Sequence, residues 1–262
     1  MKMHVDSAQF ISMARPTRFF NPPAADAFHL PAPSITPVRA GSFVGDTQQG
    51  GSVNCFVLSF CPHGSGTHTE CIGHIVNERI SVIDGFDGHL MPATLITVTP
   101  MKLSETDDTY DGSSEDSDWV IPLTALESLK TNDTIEAVVV RVRLPEGVGE
   151  NGVFSGMNAP YFTAEAMAFL GGVLPDEGHL LTNLPSIDRE QCGGVTPNHR
   201  SFWGLPAGVT TVTGAGFPNR MVTELLCDSF AAEDGEYILD LQVAPMDTDA
   251  VPSRPLLYSI KK

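Results

Sequence analysis

The sequence predicts a mixed α/β fold with a strand-rich core, and three observations carry that expectation. Apolar runs of strand length outnumber helical stretches, and the helical stretches come singly between them. Gly (24) and Pro (20) are frequent, which favours turns and short strands over a helical bundle. Hydrophobic residues make up 42% of the chain and charged residues 18%, enough apolar side chain for a sizeable core. At 262 residues the length suits one domain spanning 1–262.

Residues 1–35 read as an irregular N-terminal segment, rich in Pro and Ala over 20–35. Residues 52–60 (SVNCFVLSF) and 92–99 (PATLITVT) are apolar, β-branched runs of strand length. Residues 104–118 hold seven acidic side chains and no apolar period, the pattern of a solvated, mobile loop. Residues 122–130 suit a short helix with Thr124 as N-cap. The clearest buried strand is 135–144 (IEAVVVRVRL). Thr163 can cap a helix that Gly171 and Gly172 stop. Strand candidates follow at 178–184, 207–213, 220–226 and 236–244.

The net charge is -17, from 15 basic and 32 acidic side chains. Such a surface repels nucleic-acid phosphate and offers no basic patch to an anionic membrane, so neither partner is expected. Solubility alone accounts for the charge. No apolar run approaches the roughly 20 residues that span a bilayer, and 1–18 lacks the basic-then-apolar pattern of a signal peptide. A cytoplasmic protein is the expectation. The five cysteines form no C-x-x-C pair and read as buried thiols. Cys61 and Cys71 flank a histidine cluster, which leaves soft-metal ligation as an alternative for them.

That cluster is Cys61-Pro-His63-Gly-Ser-Gly-Thr-His68-Thr-Glu70-Cys-Ile-Gly-His74, three histidines and a glutamate within twelve residues. Alternate side chains of an extended chain share a face, so His68, Glu70, Ile72 and His74 would point the same way. Imidazole nitrogen and carboxylate oxygen suit zinc or manganese, and a further imidazole nearby suits a general base. Gly64 and Gly66 would let the backbone approach a ligand. The competing reading is a polar turn with incidental histidines, since His-x-Glu is a short pattern. His4, His29, His89 and His179 have no ligand-like company and read as surface or core residues.

The segment resembles the H-x-G-T-H-x-D-x-P-x-H signature of the cyclase family, which includes bacterial arylformamidase (kynurenine formamidase) and isatin hydrolase. Gly66, Thr67, His68 and His74 match, and Glu70 stands where the family has Asp. Ile72 replaces the family proline, and the first histidine falls on Gly64, with His63 one residue early. The resemblance continues in order through residues 160–166, Leu184-Pro-Ser186-Ile-Asp188, Asn198-His199, Thr223-Glu224-Leu-Leu and Asp249-Ala-Val-Pro-Ser-Arg-Pro. It covers roughly 36–260, as a divergent branch.

The resemblance implies a swivelling β/β/α-type fold, a homodimer or homotetramer, and a small-molecule substrate. It implies His68, Glu70, His199, Glu224 and His63 as ligands of a divalent metal, zinc or manganese, and His74 as the base. The implied reaction is hydrolysis of an amide, formamide or lactam C–N bond by a metal-activated water. A non-hydrolytic metal-dependent cyclase or dehydratase, or an inactive metal binder, are the rival classes. Glu224 lies in the apolar run 221–226, where an unpaired charge is costly; a metal or a buried arginine would satisfy it. Asp188 and Trp203 either shape the pocket or serve as a turn cap and a core aromatic. The long separation of His199 from Glu224 suggests an extra loop at 204–220.

Overall fold

The computed structural model describes residues 4–5, 9–20, 24–86, 90–129 and 135–261. Seven strands form its centre: β1 (His68–Glu70), β2 (Leu90–Val98), β3 (Ala137–Val142), β4 (His179–Thr182), β5 (Met221–Glu224), β6 (Gly235–Val243) and β7 (Ala250–Lys261). They run in the order β7-β6-β2-β3-β4-β5-β1, and β1 pairs back onto β7, closing a barrel. Strands β2 to β5 pair in parallel, and the remaining contacts are antiparallel.

Period-two alternation divides the apolar residues between two faces. Ala93, Leu95, Val139, Leu181, Met221, Leu239 and Val251 share one cluster, the barrel interior. Ile96, Val98, Val138, Val140, Leu180 and Val222 belong to the other, with Met167 and Leu170 of α1 (Ala164–Val173) and Phe202 of α2 (Pro197–Phe202). Both faces of β3 are thus covered, which is why its Val-Val-Val run is apolar without alternation.

Thr163 caps α1 as expected, its hydroxyl accepting from Ala166 N at 3.2 Å. The helix does not stop at Gly171 and Gly172. It runs to Val173 because the Arg220 guanidinium donates to the carbonyls of Gly171 (2.8 Å) and Leu174 (2.7 Å), partners a helix end otherwise lacks. The expected helix at 122–130 is a 3-10 turn, Leu123–Leu126, with Pro122 rather than Thr124 at its cap; Lys130 lies outside the described residues. Residues 207–213 form no strand but a looping connection with a 3-10 turn at Val212–Gly214. The apolar run at 52–60 contributes Phe56–Ser59, paired with Ser34–Pro37 away from the barrel, with Val57 and Leu58 exposed. His179 is a core residue and His29 a surface one, whereas His89 falls outside the described residues.

The acidic stretch differs from its expectation as a solvated loop. Tyr110 and Asp118 are buried within it. Asp118 accepts from the Tyr161 hydroxyl (2.9 Å) and from Arg189 Nε (2.8 Å). Asp108 accepts from Leu123 N (2.6 Å) and the Thr163 hydroxyl (2.8 Å). Charge counting along the chain misses this, because a buried carboxylate is stable once its donors are supplied by distant segments. Among the described residues no helix is long and apolar enough to cross a membrane.

Candidate metal centre

Strand β1 lies between β5 and β7, and its register sets the site. His68 is the direct partner of Glu224, and Glu70 of Val222. Alternation turns His68, Glu70 and Glu224 to the outer face, while Thr69 points inward to meet the Thr223 hydroxyl at 2.7 Å. Leu225, next after Glu224, holds a left-handed φ of 54°. That conformation is costly for leucine and is held by Leu225 N donating to Leu184 O (2.8 Å) and the Thr67 hydroxyl donating to Leu225 O (2.6 Å).

The helical turn Pro62–Ser65 precedes β1 and compensates the one-residue offset of His63. His63 Nδ1 reaches 3.0 Å from Glu70 Oε2. Gly64 and Gly66 are packed against the N-terminal segment. A Cβ on Gly66 would meet the Arg15 carbonyl at 2.9 Å, and one on Gly64 would meet Leu30 Cδ1 at 2.9 Å, so both glycines admit the N-terminal segment.

His74 joins the cluster by a different route from the extended chain expected. The strand ends at Glu70, and Ile72–His74 form a 3-10 turn that sends Ile72 into the core and His74 back to the site. Gly73 permits this turn, since a Cβ there would stand 2.2 Å from the Ile80 carbonyl oxygen. The His74 ring lies 4.4 Å from that of His63 and 5.4 Å from that of His199, centre to centre.

His199 arrives on α2. Its Nε2 is 2.7 Å from Glu70 Oε1 and 3.7 Å from Glu224 Oε1, and its Nδ1 is 2.6 Å from Asp188 Oδ2. Glu224 Oε1 accepts from Ile187 N at 2.8 Å, and Glu224 Oε2 lies 3.6 Å from His68 Nε2. No arginine pairs with Glu224 among the described residues. All six residues expected at the site therefore meet: His63, His68, Glu70, His74, His199 and Glu224. Trp203 is a fully buried core residue whose ring backs His199 at 5.6 Å. Cys71 is buried and turned to the Ile80 carbonyl, its thiol pushed up to about 12 by burial.

Asp249 is the member that reading the sequence missed as a site residue. Its Oδ2 lies 3.1 Å from His63 Nε2 and 3.6 Å from His74 Nδ1. Hydrogen bonds from those two histidines hold its carboxyl far below the usual range. Burial opposes the charges of Glu70, His63 and His199, but the pairs prevail. His74 and His199 hold the Glu70 carboxyl well below its ordinary value. Asp249 and Glu70 raise His63 to about 10, and Glu70 and Asp188 raise His199 well above the imidazole range.

The donor set suits a divalent cation. His68 Nδ1 donates to the Gly66 carbonyl at 3.1 Å, so the tautomer leaves a lone pair on Nε2. That Nε2 is buried without a hydrogen-bond partner. Glu70 Oε2 makes no aligned hydrogen bond either, its partner being the His63 imidazole in an ion pair at 3.0 Å. Ligand atoms of His68, Glu70 and Glu224 lie within 4.8 Å of one another, as do those of His63, Glu70 and His74. Beside them is a cavity of about 320 Å³ walled by Phe28, Leu30, Cys192 and Thr196.

No family model matches the sequence, and no curated protein matches it. Solved structures do match in fold. A predicted metal-dependent hydrolase from Bacillus stearothermophilus aligns at TM-score 0.56 and 16% identity, over 95% of this chain and 98% of that one. Isatin hydrolase A from Labrenzia aggregata, bound to benzyl benzoate, aligns at 0.53 and 13%, over 97% and 94%. An isatin hydrolase bound to the product analogue thioisatinate aligns at 0.51 and 15%, over 88% and 83%. The chain thus shares the fold of the proteins its histidine segment resembles.

Proposed function

We propose that the chain is a metal-dependent hydrolase that cleaves an amide, formamide or lactam C–N bond. The observation that carries the reading is His68 Nε2, buried without a hydrogen-bond partner and facing the Glu70 and Glu224 carboxylates within a cluster of histidines and carboxylates. An imidazole lone pair facing carboxylate oxygens in the interior is costly, and a cation between them satisfies both.

His68, Glu70, His199 and Glu224 would hold the cation, with His63 completing the set. Zinc or manganese supplies Lewis acidity towards a carbonyl and lowers the pKa of a water. Glu224 keeps Oε1 anchored on Ile187 N and turns Oε2 to His68. His74 has Nδ1 towards Asp249, which leaves Nε2 to take the proton from the attacking water. The same Nε2 then returns a proton to the departing nitrogen, so the base ends the cycle as it began. Phe28 and Leu30 line the cavity and exclude water from the flank of a small substrate. The names of the solved structures of the same fold support the reading, two of them being isatin hydrolases.

The test is elemental analysis of purified protein beside an assay of formamides, lactams and simple amides for release of acid. Stoichiometric zinc or manganese, lost in His68→Ala, and acid release by the wild type are expected. Equal metal content in the two proteins would remove the metal assignment. A metal-loaded protein that rearranges a carbonyl compound without consuming water would replace hydrolysis with cyclase or dehydratase chemistry.

A further inference from the structure

We propose that Tyr110 is a positioning residue for His199, acting through Asp188. The inference rests on the metal reading above and names a residue from a segment outside the cluster.

The Tyr110 hydroxyl donates to Asp188 Oδ1 at 2.9 Å and accepts from Arg189 N at 3.2 Å. Burial, reinforced by the Asp188 carboxylate, pushes the phenol far above its ordinary range, so the hydroxyl keeps its proton and remains a donor. Asp188 spends both oxygens. Oδ1 also accepts from Asn198 N (2.9 Å), and Oδ2 accepts from His199 N (3.1 Å) and His199 Nδ1 (2.6 Å). The carboxylate is therefore locked in rotation. A locked Oδ2 fixes the His199 proton on Nδ1 and aims Nε2 at Glu70. Outer contacts of this kind set the tautomer and orientation of a metal-binding imidazole.

Tyr110 is well placed to be the lock. Its ring is buried and rests against that of Tyr161 at 4.6 Å, and the Tyr161 hydroxyl is held by Asp118. The two side chains come from the acidic stretch and from the short strand Tyr161–Phe162, so neither depends on α2 for its own place. Removing the Tyr110 hydroxyl would leave Asp188 Oδ1 with Asn198 N alone and loosen His199 without touching a ligand.

The experiment uses the full chain stripped of metal, with zinc affinity measured by chelator competition and melting temperature measured without metal. Tyr110→Phe should weaken zinc binding about tenfold, the low end for an outer contact, and lower the metal-free melting temperature only modestly, as the loss of two hydrogen bonds requires. In a His199→Ala background the same substitution should leave zinc affinity unchanged, since Tyr110 acts on the metal through that imidazole. Asp188→Asn, as a second variant, should weaken zinc further and also fall silent in that background. Unchanged affinity in Tyr110→Phe, or equal losses in both backgrounds, would overturn the assignment. A wild-type protein that takes up neither zinc nor manganese would instead overturn the metal reading beneath it.

Discussion

His68 and Glu224 are direct cross-strand neighbours on β1 and β5, with His68 Nε2 3.6 Å from Glu224 Oε2. They are 156 positions apart in the chain, yet pairing puts them on one face with no adjustable linker between them. Two rigid strands thus present one imidazole and one carboxylate at a separation that the barrel, rather than a flexible loop, decides.

Glu224→Gln tests that relationship. The amide oxygen can still accept from Ile187 N, so the fold should survive, but the charge facing His68 is gone. Metal affinity should fall by at least about tenfold, read by chelator competition. Retained affinity would take Glu224 out of the ligand set.

Metal binding should release protons. The metal-free protein carries His63 with its pKa raised to about 10 and His199 raised well above 6.5, so both are protonated near neutral pH. A cation needs the neutral imidazole, so affinity should climb as pH rises from 6.5 towards 10. The stability that His63 lends the metal-free fold has the opposite sense, being complete below 6.5 and lost as pH rises through about 10. Calorimetry in buffers of different ionisation enthalpy should show at least one proton released; zero release would contradict the raised values.

His74→Ala separates turnover from binding. His74 lies at the rim, 30% exposed, and faces Asp249, while the buried set of His68, Glu70 and Glu224 stands without it. Metal content should hold and turnover should fall roughly a hundredfold or more, the usual scale for a positioned base. Loss of metal would make His74 a ligand instead.

Gly73→Ala should reach the same histidine through the backbone. Its new Cβ would stand 2.2 Å from the Ile80 oxygen, a clash that only backbone movement relieves. A destabilisation of about 1–3 kcal/mol is expected, read by urea unfolding, together with reduced turnover. Wild-type stability would show that the turn yields easily.

Excising 104–118 should lower both metal content and melting temperature. The stretch supplies Tyr110 to Asp188, Asp118 to Arg189 and Asp108 to Thr163. Wild-type values for the excised protein would return the stretch to the status of a surface loop.

Local pattern alone determined much of this protein. The valine run of β3, the Thr163 cap and the His68-x-Glu70 alternation are properties of neighbouring residues, and they needed only strand and helix periods to be read. His199 and Glu224 entered through collinear resemblance. The tertiary structure alone decided that Gly73 turns the chain at His74, that Arg220 carries α1 past two glycines, and that Asp249 meets His63. It also decided that an acidic run is a packed support behind His199. The physical reason is that sequence spacing sets which face a side chain takes, whereas barrel closure and strand register set which distant groups share it. A carboxylate or glycine shows its role only beside the partner that closure brings to it.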